Sequence, residues 1–206
     1  MAKNYSATVN IKGFYYAVQK EDSKEAVSYD EPVHVPFAQS VAIETEQSIE
    51  KAYGDGVVAE MAVATGATTV TMGWHNIPLE NRQELLGLEE EDGMIIQRSQ
   101  VTPPDVAIIL EQEKNDGSKE LVGLTKGKFM LPAIEGETKE DSVEFGNHEI
   151  EGEFAARHYD DVAQIMVFID DEDSEGKETK FKDKVFLDSE KDGGNSGGGD
   201  DGEDTP

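Results

Sequence analysis

The sequence predicts a mainly β fold, a sandwich or barrel with one short flanking α-helix and a disordered acidic C-terminal tail. Three observations predict it. Runs of β-branched and aromatic residues recur along the 206-residue chain, each bounded by polar turn clusters. A single stretch carries both the start and stop signals of a helix. From Asp188 to Pro206 the composition shifts to Gly, Asp and Ser with no apolar anchor, so 188–206 is read as a tail and 1–187 as one domain.

Taken in order, Val9 to Val18 holds Ile11, Phe14, Tyr15 and Tyr16, a β-prone run in which Gly13 marks a bulge. Glu21 to Glu31 is polar and reads as a loop. Pro32 and Pro36 bracket Val33, His34 and Val35, an edge segment. In Ser40 to Thr45, Val41 and Ile43 alternate with Ala42 and Glu44. Glu46 to Thr65 is open between two readings: strand, Gly54-Asp55-Gly56 turn and strand, or a long projecting loop. In Thr68 to Trp74 one face carries Thr68, Val70, Met72 and Trp74. The helix starts at Pro78, whose missing N–H suits a first turn. Leu79, Leu85 and Leu86 would form its buried face, and Gly87 would end it in the left-handed conformation. Asp105 to Glu113, the Asn115 to Ser118 turn and Leu121 to Leu131 form the clearest hairpin, with Gly123 and Gly127 allowing close approach and Pro132 ending it. Ser142 to Phe154 and Ala163 to Ile169 read as two more strands, the second apolar enough to be buried on both faces.

Charge sets the strongest limit on function. Asp and Glu number 45 against 18 Lys and Arg, a net −27. Seven acids against Lys191 place only 6 of those excess negatives in the tail, so the body is itself acidic. Such a surface repels phosphate, and counterion release cannot drive binding, so neither specific nucleic-acid binding nor attachment to anionic membranes is expected. There is no cysteine, which removes disulfides, thiolate metal sites and cysteine nucleophiles. The first residues lack the apolar stretch of a signal peptide, and no segment has the apolar length to span a bilayer; synthesis in the cytoplasm is expected.

Motifs for catalysis were sought along the chain. His34, His75, His148 and His158 show no metal-ligand spacing. Asp171 to Gly176 imitates the start of a calcium loop, but Lys182 stands where the bidentate glutamate belongs. Asp170, Asp171 and Asp173 allow at most loose divalent binding, and no metal or cofactor is expected. Paired carboxylates carry little information in so acidic a chain, and no nucleophile elbow, phosphate-binding loop or dinucleotide fingerprint appears. An enzyme is therefore not expected.

Several segments together resemble the major tail proteins of long-tailed, non-contractile phages and prophages, the group often labelled phi13-type. They are Asn10–Val18 (NIKGFYYAV), Glu46–Gly56 (EQSIEKAYGDG), Asn76–Glu80 (NIPLE), Pro103–Ile108 (PPDVAI), Val122–Pro132 (VGLTKGKFMLP) and Glu149–Phe154 (EIEGEF), with Phe181–Phe186 (FKDKVF) near the end. The resemblance implies a tail-tube-type β-sandwich or barrel and a structural subunit of the virion tail, made in the host bacterial cytoplasm. It implies hexameric rings that stack on one another around a tape-measure protein, tail terminator and tail-tip proteins at the ends, and DNA passing through the bore without specific binding. A bore lined by carboxylates suits that passage; the candidates are Glu44, Glu46, Glu60, Glu144, Glu149, Glu151 and Glu153. Segment 47–66 would be an arm gripping an adjacent copy, and Ile49, Tyr53, Val57 and Trp74 are the inter-subunit candidates. The alternative is a β-sandwich virion adaptor or decoration module that forms no tube.

Overall fold

The computed structural model describes residues 6–132, 148–170 and 174–188. Glu144, Asp171, Asp173, residues 142–147 of the expected strand and the tail beyond Asp188 lie outside the described residues.

The core strands form where apolar residues alternate. In β1 (Thr8–Asp22), Phe14 and Tyr16 point to one side and Tyr15 and Ala17 to the other, with a register shift between Ile11 and Gly13 where the bulge was expected. The expected loop after it is partly strand: β1 runs on to Asp22 and pairs with β2 (Val27–Tyr29), because Val27 has a buried place to fill. The edge segment is β3 (Val33–Val35), paired with β1 at Phe14 to Tyr16. Two long strands follow, β4 (Ala38–Gly54) and β5 (Val57–Trp74). Helix α1 (Leu79–Leu86) ends at Gly87, whose φ of 62° places it in the left-handed region. A Cβ there would lie 2.7 Å from the Thr102 carbonyl oxygen, so only glycine fits. Leu85 and Leu86 are buried, and Asn81 donates to the Tyr16 hydroxyl, which donates to Glu84 at 2.6 Å. These contacts hold the helix by its middle and C-terminal end; Leu79, expected on the buried face, stands clear of the core and is exposed.

A short hairpin, β6 (Glu89–Glu91) and β7 (Met94–Ile96), turns through Asp92 and Gly93, both with positive φ. Then come β8 (Val106–Lys114) and β9 (Lys119–Phe129), the expected hairpin, and β10 (His148–Ala155) and β11 (Gln164–Ile169). Among the described residues nine strands form one antiparallel sheet, along the path β2-β1-β8-β9-β10-β5-β4. The sheet branches at two edges. β1 offers its outer edge to both β3 and β2, and β9 offers one edge to β11 over Lys119–Leu124 and to β10 over Lys126–Phe129. The main core takes Phe14, Val35, Met72, Ile108, Leu124, Ile150 and others from across the path, so the sheet curls around it. β3 runs directly into β4 through Pro36 and Phe37, joining the two ends of the sheet by chain while leaving them without a ladder. The barrel is unclosed.

The expectation of a single helix is corrected. A second helix, α2 (Ser174–Val185), lies on the outer face of β8, β9 and β11, where Phe181 and Val185 complete a satellite cluster with Ala107, Ile109, Leu121 and Ile169. Its sequence hides it: Lys and Glu dominate, and only two apolar residues four apart carry the packing. Gly123 makes room for it, since a Cβ would lie 2.4 Å from a Val185 methyl. Where the sequence read 171–176 as a solvated acidic loop, Ser174 to Gly176 belong to α2, and Lys182 bonds Glu178 at 2.7 Å. The expectation for β11 is also corrected. Among the described residues it pairs only with β9 and leaves Met166 exposed, because β10 and β11 divide one edge of β9 between them and β11 lies at the border.

Candidate assembly interface

The β4–β5 pair splits into two parts with different surroundings. Between Ala38 and Thr45, β4 pairs with β5 while β5 pairs on its other edge with β10 from Trp74 to Thr68. The Thr45 and Thr68 hydroxyls, 2.9 Å apart, mark the last rung of that three-strand region. Next, Glu46 is opposed by two residues, Gly66 and Ala67, a bulge that twists the pair away from the sheet. Gly66 eases the packing there: a Cβ would come within 3.1 Å of the Glu46 side chain, a tight contact. Beyond the bulge, residues 47–65 pair, among the described residues, only with each other and are exposed throughout. Asp55 and Gly56, with φ of 51° and 82°, close the hairpin by a two-residue turn of the kind whose twist matches paired strands. The open question over 46–65 thus resolves into strand, turn and strand.

Alternation gives this arm two unlike faces. Residues paired across a ladder share a face. Ile49 pairs with Val63, Lys51 with Met61 and Tyr53 with Val58, so one face is an apolar stripe with a single cation. Ile49, Tyr53, Val58, Met61 and Val63 are each between 44% and 69% exposed. The other face pairs Ser48 with Ala64, Glu50 with Ala62 and Ala52 with Glu60, and Val57 lies on it at the tip. A lone two-stranded hairpin is marginal in water, and free strand edges invite pairing. The arm has both properties and a row of large apolar side chains as well. Trp74, at the foot of β5, differs: it is wholly buried, edge-on to Phe14 with ring centres 5.2 Å apart, and has no surface to offer a neighbour.

The outer face of β10, β5 and β4 is acidic. In β10, Ile150 and Phe154 enter the core and Glu149, Glu151 and Glu153 point out. The registers align them in rows across the sheet: Glu153, Thr69 and Glu44; Glu151, Thr71 and Ala42; Glu149, Gly73 and Ser40. Alternation along β4 puts Glu46 on this same face and, through Ala52, Glu60 as well, with strand twist turning the face along the arm. All six described bore candidates therefore share one side of the sheet, and none forms an ion pair among the described residues. Cations on the flank under α2 are engaged: Lys119 with Glu111, Lys114 with Glu120, Lys12 with Glu113 and Lys182 with Glu178.

A set of buried polar contacts holds this scaffold together. Arg157 is fully buried, forks onto Asp160 with two bonds of 2.8 Å and donates to the carbonyls of Lys184 and Val185, capping the C-terminus of α2. The Arg157 guanidinium holds Asp160 below the usual carboxylate range. Sequence reasoning missed Arg157, because the Lys184 and Val185 carbonyls it caps lie on another element, although Asp160 is only three residues away. It also missed Val58, Met61 and Val63, although their spacing in β5 carried the signal.

Among the described residues no group of three or more His, Asp or Glu is arranged to hold a metal ion, and no helix is long and apolar enough to cross a membrane. A shallow polar groove of about 550 Å³ runs along Gln97 to Thr102 beside Leu131.

Comparison with known proteins then bears on these surfaces. A family model described as phage tail tube protein matches residues 37–192, well over half of the chain. No curated protein matches it. Among solved structures, the chain is similar to the anti-feeding prophage cap, described as the tube terminating cap, by cryo-electron microscopy. Identity is 14% over 80% of this chain and 95% of that one, with a TM-score of 0.32, a likeness too distant to argue from.

Proposed function

We infer the role of the molecule from one premise: the chain belongs to the phage tail tube protein family. It is a structural subunit of a virion tail. We propose that its copies close into hexameric rings, that the rings stack, and that the acidic face of β10, β5 and β4 lines the bore. Terminator and tip proteins would cap the ends, and the tape-measure protein would fill the bore before DNA does.

The observation that carries this reading is the arm. A hairpin that leaves its own sheet, exposes an apolar stripe and, among the described residues, keeps two unpaired edges is unfinished in the isolated chain. A second copy finishes it, and a contact between unlike surfaces repeats into rings or filaments. The carboxylate face supports the bore assignment. Phosphates within about 8 Å of the wall, the screening length at physiological salt, meet mostly like charge, a neighbouring cation, Lys128 beside Glu153, being held by Asp105, so DNA slides past without adhering.

Shortening the arm tests the reading. Deletion of Ala52 to Val57 should leave a folded monomer, judged by its circular dichroism and melting, that forms no tubes in negative-stain images. Tubes of normal length from that variant would reject the arm as an assembly element.

A further inference from the structure

We propose that the opposite end of the β4–β5 pair, built around Phe37, is the surface that receives the arm of a second copy of this chain. This rests on the arm reading above and adds the receiving site.

Phe37 is unusual in two independent ways. It is the most exposed large apolar residue among those described, at 75%, and its backbone has a φ of 66°. The other described non-glycine residues with positive φ are Asp55, Asp92 and Asp161, a residue type that tolerates this region. A bulky side chain there is strained, and such strain clusters at functional positions. The cause is visible. Val35 is held by β1 and Ala38 by β5, so the chain must turn between them, and the Phe37 carbonyl is fixed by the His75 N–H at 3.3 Å. A glycine would make this turn without strain. The chain carries an aromatic ring instead and holds it in solvent.

The surroundings fit the arm. Leu79, also exposed, follows His75 by four residues, and exposed Glu80 lies next to it. Neither Glu80 nor Lys51, the one cation on the apolar stripe, makes an ion pair among the described residues. The apolar stripe with Lys51 and the exposed Phe37 therefore sit at opposite ends of one strand pair: Ala38 pairs with Trp74 at the first rung and Gly54 with Val57 at the last, and Glu80 follows Trp74 by six residues at the Phe37 end. A strand of 17 residues separates those ends by about 55 Å. Between copies aligned in the same direction such a contact joins unlike surfaces and runs head to tail, as growth along an axis requires.

The substitution Phe37→Gly separates assembly from folding. It removes the ring and relieves the backbone, so the variant should melt at or above the wild-type temperature. Its tube yield, measured by pelleting and negative-stain counting, should fall about tenfold or more, as loss of an aromatic anchor does. Wild-type tube yield would overturn the proposal. Should the variant melt lower than wild type, the charge pair decides. Lys51→Glu and Glu80→Lys should each lower the yield and together restore it, and a double variant no better than the singles would overturn the proposal. Intact tubes after arm deletion would defeat the arm reading itself, whereas lost tubes after arm deletion with normal tubes from Phe37→Gly would defeat only this acceptor.

Discussion

Asp22 sits where three parts of the chain meet. Its carboxylate accepts from Lys126 Nζ of β9 at 2.7 Å and from the backbone N–H groups of His158 and Tyr159 in the β10–β11 connection. Burial alone would push this carboxyl up; the Lys126 ammonium and the two N–H groups outweigh burial and hold it below the usual range. Its folded value thus lies below the unfolded value of about 3.9. The stability it contributes is present above the unfolded value and is lost as pH falls through the folded one. Asp22→Asn should therefore cost about 2 kcal/mol in urea unfolding at neutral pH. The gap between variant and wild type should shrink as the pH drops below about 4. A gap that stays constant down to the acid limit would show that Asp22 is not the titrating group. Arg157 works at the same scale. Its planar fork meets Asp160 while its remaining donors reach the last carbonyls of α2, a combination that a lysine cannot reproduce.

At the scale of elements, α2 depends on an absent side chain. Gly123→Ala would drive a methyl into Val185, so it should cost about 1 to 3 kcal/mol and raise hydrogen exchange in 174–185 before the rest of the domain. Unchanged exchange in α2 would contradict the packing described. The same element shows what the sequence could not reveal. The β8–β9 hairpin was legible because apolar runs and turn chemistry agree locally. α2 was not, since Phe181 and Val185 acquire meaning only from Gly123, far earlier in the chain and within a strand they must find in space. β11 misled because an apolar run looks alike at the middle or the border of a sheet; its place depends on how β10 shares the edge of β9. The outward-facing acids were legible by strand alternation, and the registers gather Glu44, Glu46, Glu60, Glu149, Glu151 and Glu153 on one side. Phe37 was invisible, because nothing in its letter reveals a positive φ.

For the whole molecule, charge opposes assembly. With a net −27, approaching copies repel, and screening shortens that repulsion to about 3 Å at 1 M salt. Light scattering should show a shorter lag and faster growth as sodium chloride rises from low to physiological strength. Kinetics independent of salt would remove charge as the brake. Trp74 is the single tryptophan of the chain and lies sealed against Phe14, far along β5 from the arm tip. The protein thus carries one indole chromophore, sealed from solvent and remote from the arm tip, that senses loss of the core. Its emission colour tracks denaturation while turbidity tracks growth, and the two can be read independently from one cuvette.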